Sequence, residues 1–381
     1  MKIAHIGLAS HFTEKMTYQD NYLTEQNVKD GHEVLYVSDA AKYLDGKLTS
    51  AGYEDVLLDS GVRLVRLPYE SVIHPFVSEK IRRVKGLYAL LCDFSPDVIL
   101  CHGLCFQSVT DVIRYKKEHP DVKLYADTHA DYGNSGTNFL SLKLLHGVYY
   151  RSLAQKALPY LEKLLYTSYE RKDFAEEVYG YPESICEFYP LGGIVPTDAE
   201  YSEKRGRRRR ELNVRDNELL FLHSGKLDPG KKTEELLRAF AKAPELNAKL
   251  IIAGSIPEDR KDALSPLIQE DGRVEYLGWC SACELTEYLC AADVYLQPGT
   301  VSATMENAMC CRCAQLLYPT SSYLRAYPED MAVWVKSEED ISQAFRDFAE
   351  GKLSVEDMRD SAFAYARERL DYQKLAARLY V

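Results

Sequence analysis

The chain alternates short apolar runs with amphipathic stretches, and it does so twice. In the first half the runs are "KIAHIG" (2–7), "EVLYVS" (33–38), "VRLVRLP" (62–68), "DVILCHG" (97–103), "KLYADTH" (123–129) and "KLLYTS" (163–168). Helix-period segments at 19–30, 78–93, 107–118 and 138–160 separate them. Strands separated by helices need crossover connections, and crossovers build parallel sheets. The pattern breaks near "YPLGGIVPTDAEYSEKRGRRRREL", where Gly192, Gly193 and Pro196 precede a charge run. It restarts with "LLFLHSG" (219–225), "AKLIIAGS" (248–255), "RVEYLGW" (273–279), "DVYLQPG" (293–299), "AQLLYP" (314–319) and "AVWVK" (332–336). A chain of 381 residues exceeds what one core usually holds. The expected fold is α/β: two doubly wound parallel-sheet domains, Rossmann-like, facing each other across a cleft that can exclude water. The expected divisions are 1–192, 193–360, and a helical tail, 361–381, returning to the first domain.

Charge and cysteine usage narrow the function. A formal net charge of −11 argues against nucleic acid as the partner. The run "RGRRRRE" then reads as the solvated first helix of the second domain. No uncharged run approaches the ~18 residues of a membrane-crossing helix, and "MKIAHIGLASHF" goes straight into a strand. These features predict a cytoplasmic protein whose ten cysteines are reduced thiols. Cys280 and Cys283 with "CCRC" at 310–313 are too far apart for a zinc ribbon, so small buried apolar residues are expected and no metal site.

Just past the middle, "HSGKLDPGKKTEELLRAF" (223–240) carries Lys226, Lys231 and Lys232 in a turn between a strand and a helix. A strand ending in Gly225-Lys226, turning through Asp-Pro-Gly into a helix, aims backbone N–H groups and mobile cations at one spot. That setting suits a diphosphate. A surface turn with solvated lysines is the competing reading of this segment alone.

Three segments in order carry a resemblance. "KLDPGKKTEELLRAF" resembles the "GR-L-x-x-x-KG" strand–turn–helix of retaining GT-B glycosyltransferases of family 4, the group 1 type. "VEYLGWCSACELTEYLCAADVYLQPG" resembles the family's "V-x-F-L-G-x-V-x-x-x-E-L-x-x-x-Y-x-x-A-D-V-x-L-x-P-S". "MENAMCCRCAQLL" is similar to its "x-E-A-M-A-x-G-x-P-V". In the first half, "GHEVLYVS", "SPDVILCHG", "LYADTHADY", "KLLYTSYERKDFAEEVYG" and "FYPLGGI" fall in the family's order, so nearly the whole chain is covered.

The resemblance implies a GT-B fold and transfer of a sugar from a nucleotide diphosphate sugar, UDP- or GDP-linked, with retention of configuration. By position Lys226 and Lys231 hold the diphosphate, which removes the need for a divalent metal or other cofactor. Glu306 takes the ribose hydroxyls; Gly225, Gly278, Gly299, Thr300 and Ser302 line the donor, and Trp279 brackets the base or packs as a core aromatic. His129 of "DTHADY" contacts the donor sugar, with His102 a second candidate, and Gly7 stands in the loop after the first strand. The acceptor is a glycan or lipid-linked intermediate of a surface polysaccharide. Segment 78–91, "SEKIRRVKGLYALL", is expected as a basic, apolar helix for peripheral association with the inner face of a membrane. Two departures stand out. Pro298 occupies the first position of the family's E-x7-E, and the loop after the first strand lacks paired glycines. A GT-B scaffold that binds nucleotide-sugar or a partner protein without turnover is the alternative.

Overall fold

The computed structural model describes every residue except Lys15, Thr17, Asp45, Gly46, Ile73 and Val381. It divides into two compact units, Met1–Pro190 with Leu375–Val381, and Leu191–Lys374. The first unit carries β1 (Lys2–Gly7), β2 (Glu33–Asp39), β3 (Ala41–Leu44), β4 (Lys47–Ser50), β5 (Glu54–Leu57), β6 (Arg63–Leu67), β7 (Val98–His102), β8 (Lys123–Thr128), β9 (Lys163–Tyr166) and β10 (Cys186–Phe188). The second carries β11 (Leu219–Ser224), β12 (Ala248–Ala253), β13 (Val274–Gly278), β14 (Val294–Gln297), β15 (Ala314–Leu317) and β16 (Ala332–Trp334).

In the first unit the sheet order is β10-β9-β8-β7-β1-β2-β6-β5. All neighbours run parallel except β5, which closes the edge antiparallel to β6. The second sheet, β13-β12-β11-β14-β15-β16, is wholly parallel. Helices cover the faces of a parallel sheet, so its central strands bury residues on both sides: Ile3, Ala4 and Ile6 in β1, Leu220, Phe221 and Leu222 in β11. Strand order reverses beside β1 in one unit and beside β11 in the other. At such a switch point the loops after adjacent strands splay apart, leaving a crevice beyond their carboxyl ends.

Four strands escape the apolar-run reading. Strands β3 and β4 form a separate antiparallel hairpin, and β5 and β10 are short edge strands. None has a continuous apolar run to betray it. Segment 78–91 is not one helix. The helix Pro75–Ile81 ends where Arg82 turns left-handed (φ 53°, ψ 53°), and a second, Leu87–Phe94, starts after left-handed Gly86. Between them Val84 is buried and bridges to Tyr69, while Leu87 and Leu91 face the core. The basic residues therefore share no helix face with these leucines, and the expected membrane helix does not form.

The tail is also corrected. The helix Val355–Arg369 belongs to the second unit, where Ala362 and Ala366 are buried and the helix packs on Thr304–Cys310 and β15. Only Leu375–Val381 returns to the first unit, held by Arg378 on Glu187 and the Phe188 carbonyl and by Tyr380 on Asp30. Among the described residues no helix is long and apolar enough to cross a membrane.

Candidate functional site

In the second unit, loops after β11, β12 and β14 meet by backbone contact. Gly254 follows β12 at φ +146°, and a Cβ there would lie 1.8 Å from the Gly225 carbonyl oxygen. A Cβ on Gly299, after β14, would lie 2.0 Å from the Gly230 oxygen. Only glycine permits either approach. The loops are then pinned: Thr300 N–H donates to the Gly230 carbonyl (2.9 Å), Gly225 N–H to Ala253, and Gly254 N–H to Gly278. Asp228 caps its own turn through Gly230 N–H (3.0 Å). The sequence "SGKLDPGKK" thus folds as a tight turn seated on the glycine after β14.

That seating places Lys231. Its Cε would be 3.3 Å from a Cβ on Gly225, and its ammonium donates to the Val301 carbonyl at 3.5 Å. Lys231 is half-buried; burial lowers its pKa below the usual lysine value, opposed by Asp228. A desolvated ammonium with one long hydrogen bond has donors to spare, and an anion at the mouth of β11 would stabilise its charged form. Lys226 is exposed at the start of the same turn, and Lys232 turns away to the Lys336 carbonyl and over the Tyr318 ring. Beneath them His223 is fixed in one tautomer. Its Nδ1–H donates to the Leu296 carbonyl (2.8 Å) and its Nε2 accepts from the Thr233 hydroxyl (2.9 Å). Burial, reinforced by Lys231, brings its pKa down to about 4, so it adds no charge to the site.

Lys226, Lys231, Gly225, Gly299 and Thr300 are therefore assembled by one set of loops. Ser302 lies nearby, its N–H donating to the Tyr323 hydroxyl (2.9 Å) and its Oγ accepting from Thr304 N–H at the start of the helix Thr304–Cys310. Gly278 ends β13 with φ +73° and Trp279 follows it, 76% exposed, which removes the core-aromatic reading. Pro298 stands at the carboxyl end of β14, where it offers no carboxylate.

Glu306 is the exception. It is buried on the helix Thr304–Cys310, where Oε2 accepts from Gly192 N–H and Oε1 from the Tyr327 hydroxyl, each at 2.5 Å. The sequence reading gave its carboxylate to a ribose; in this structure it ties the left-handed Gly192 turn to Tyr327. The cysteine reading fares differently by position: Cys310, Cys311 and Cys313 are buried thiols, and Cys283 is exposed.

The first unit gathers histidines at its own switch point. His102 ends β7 and Nδ1–H donates to Asp127 Oδ2 on β8 (2.6 Å), while Asp127 Oδ1 accepts from Gly103 N–H (2.9 Å). His102 Nε2 lies 3.1 Å from His5 Nδ1, and His5 Nε2 lies 2.8 Å from Asn27 Oδ1. With its oxygen toward His5, Asn27 accepts from His5 Nε2–H, and the proton positions along the chain follow from that amide orientation. Asp127 on Nδ1 favours the protonated form of His102. Burial works against that charge but Asp127 outweighs it, raising the pKa of His102. Asp127 is held well below the carboxylate range, burial being overcome by His102 and His129. His5, fully buried beside that cation, falls to about 3.

His129 follows β8 at the surface, Nε2 3.5 Å from Asp127 Oδ1, with its ring 43% exposed. Gly7, at the end of β1, is compelled by a close neighbour: a Cβ there would lie 2.0 Å from the Tyr36 hydroxyl, which donates to Asp20 (2.8 Å). Sequence reading missed His5, Asn27 and Asp20, because a polar residue inside an apolar strand or helix gives no signal until its partner is known.

The relay sets a pH dependence. His5 has a lowered folded pKa, so its contribution is complete above 6.5 and is lost as pH falls toward 3. Asp127 is also lowered and adds to the acid loss below its ordinary 3.8. His102 is raised, so its contribution is complete below 6.5 and is lost as pH rises through its folded value. Denaturant unfolding across pH should therefore show an acid limb beginning near 6.5 and worth a few kcal/mol. In His5→Gln that limb should shrink to the part that His223 and His146, each lowered to about 4, still supply; an unchanged limb would remove His5 as a source.

Comparison with known proteins agrees with this geometry. Residues 204–369 match the model of the family "Glycosyl transferases group 1". Over that stretch the second unit is similar to the group 1 glycosyltransferase domain. An uncharacterised glycosyltransferase of Methanocaldococcus jannaschii is 26% identical over 292 residues, 73% of this chain and 68% of its own length. Among solved structures, Anabaena HepE in complex with UDP superposes with a TM-score of 0.68 at 13% identity, covering 99% of this chain and 98% of that one. A glycosyltransferase from Rickettsia africae gives 0.68 at 13%, covering 99% and 96%. Sucrose-phosphate synthase from Thermosynechococcus elongatus gives 0.66 at 16%, with the same coverage. Identities this low show the fold alone, and the fold is GT-B. The stretch matched by that family's model holds the lysine turn, the glycine-seated loops and Glu306.

Proposed function

We propose that the chain transfers a glycosyl group from a nucleotide diphosphate sugar to an acceptor hydroxyl, with retention of configuration. The observation that carries this reading is the half-buried ammonium of Lys231 above Gly225, at the switch point between β11 and β14. Cleaving a sugar–phosphate bond leaves negative charge on the departing diphosphate. Cations fixed before the reaction stabilise that charge with no reorganisation, and Lys226 and Lys231 supply them without calling on a metal ion. The backbone N–H groups of the turn add fixed donors, as at other phosphate-binding helix starts. HepE was solved with UDP, and with UDP and glucose, which supports a uridine-linked donor here.

In this reading Thr300 and Ser302 meet the sugar in place of the carboxylate that Pro298 lacks, Trp279 stacks on the base, and His129 with Gly7 serves the sugar and acceptor. The acceptor is a glycan or lipid-linked intermediate, and the protein works in the cytoplasm. Similarity to WaaG, a glycosyltransferase involved in lipopolysaccharide biosynthesis, supports that acceptor class. The second reading, a nucleotide-sugar-binding scaffold without turnover, is favoured by Pro298 alone. Incubation with UDP- and GDP-hexoses and candidate lipid-linked acceptors separates them. Release of nucleoside diphosphate with a product of the donor's anomeric configuration is expected; an inverted product overturns retention, and binding without release favours the scaffold.

A further inference from the structure

The loop after β14, residues 298–304, brings no carboxylate to the site, yet its hydroxyls are gathered on one buried phenol. Tyr295 on β14 is fully buried. Ser224 Oγ, at the end of β11, lies 3.3 Å from its hydroxyl, and the Ser302 and Thr304 hydroxyls come within hydrogen-bond reach of the same atom. That hydroxyl also lies 3.2 Å from Gln297 Oε1. The rest of the loop is held by other groups: Thr300 N–H by Gly230, the Val301 carbonyl by Lys231, and Ser302 N–H by the Tyr323 hydroxyl.

These bonds have a direction. The Thr300 carbonyl only accepts, so it is the Gln297 nitrogen that faces it. Gln297 then turns its oxygen to Tyr295, and an amide oxygen also only accepts, so the phenol proton is committed to Gln297. Burial pushes the phenol pKa up, which keeps that proton in place. Hydroxyls sharing the Tyr295 oxygen must therefore donate to it. Ser302 and Thr304 have one O–H each; with it turned inward, they keep lone pairs for whatever lies over the loop. Ser302 Oγ uses one of its two on Thr304 N–H and has one left. Both residues are half-buried, beside Val301, which is 54% exposed. The loop thus presents what a carboxylate presents, oxygens that accept, without its charge.

We propose that Tyr295 is a positioning residue for donor recognition: it turns Ser302 and Thr304 into acceptors for hydroxyl groups of a nucleotide-linked hexose, a role no side chain at Pro298 or Gly299 can fill. This inference rests on the reading that the loop meets the donor sugar, and the nucleotide titrations below separate the two.

Calorimetric titration of UDP and GDP into the full chain, then of the glucose, galactose and mannose donors of whichever binds, tests it. The wild type should bind one donor more tightly than the free diphosphate and discriminate among the three. Tyr295→Phe keeps the ring and frees Ser302 and Thr304 to turn. It should bind the diphosphate within about twofold of the wild type, while the advantage of the preferred donor falls by about three- to tenfold. Gln297→Met releases the phenol proton toward Ser302 and Thr304 and should give the same pattern, so it decides the matter if Tyr295→Phe folds poorly. Tyr150→Phe removes an equally buried phenol, bonded to the Lys80 carbonyl (2.8 Å) in the first unit, and should match the wild type throughout. A wild type that binds neither diphosphate overturns the nucleotide site and this inference together. A wild type that binds a diphosphate but does not discriminate among its hexoses overturns this inference alone, as does Tyr295→Phe with wild-type discrimination. Equal losses for diphosphate and donors in both variants would assign the phenol to folding only, and also overturn it.

Discussion

Lys231→Ala is expected to slow sugar transfer by about 10²-fold, the usual loss for one preorganised charge removed from a developing anion. Folding should change little. The side chain contributes one long hydrogen bond to Val301, and the turn is held by Asp228 on Gly230 and by Thr300 on Gly230. Lys226→Ala should lose less, because Lys226 is exposed and its charge is screened by solvent. Lys232→Ala serves as a control, being turned to the Lys336 carbonyl. Steady-state release of nucleoside diphosphate ranks the three. A ranking with Lys232 first would place the diphosphate elsewhere.

Glu306→Ala is expected to act on stability, by about 3 kcal/mol in denaturant unfolding of the second unit. Its carboxylate accepts from Gly192 N–H and the Tyr327 hydroxyl inside the protein, so truncation removes the acceptor of two buried hydrogen bonds. Glu306→Gln keeps an acceptor and should recover part of the loss. Were the carboxylate reserved for a ribose, Glu306→Ala would leave stability unchanged and weaken only the nucleotide. Paired unfolding and calorimetric titrations distinguish the two outcomes.

The Glu306 correction shows where reading by motif slips. The motif "x-E-A-M-A-x-G-x-P-V" sets its glycine five residues after the glutamate, where a helix ends in the left-handed region. Here that conformation belongs to Arg312 (φ 64°), six residues after Glu306 and five after Asn307. Counted from that helix end, the motif's glutamate would fall on Asn307 rather than Glu306, and the position eight before it on Gly299 rather than Pro298, which likewise offers no carboxylate. Without the glycine the sequence held no marker for the helix end, and the glutamate next door captured the alignment. Arg82 illustrates the same blindness: its left-handed φ breaks a periodic stretch at a residue with ordinary helix propensity.

What was legible followed from period and spacing. Each parallel strand of the second sheet, the half-buried edges β13 and β16 included, reads as a short apolar-rich run ending in a turn, so β11 to β16 were visible before their partners were known. The lysine turn was legible because Gly225, Pro229 and Gly230 punctuate it. Partners were not. Nothing in "KIAHIG" says that His5 faces His102, and nothing in "QNVKD" says that Asn27 caps the pair, because the sheet register that joins them is long-range.

The claim on which the rest depends is that a nucleoside diphosphate binds at the carboxyl ends of β11 and β14 under Lys231. Calorimetric titration of UDP into the wild type and Lys231→Ala tests it most directly. The account predicts a binding isotherm for the wild type and an affinity at least about tenfold weaker in the variant, the expected loss of a charge-assisted contact. Equal affinity in the two proteins would contradict it.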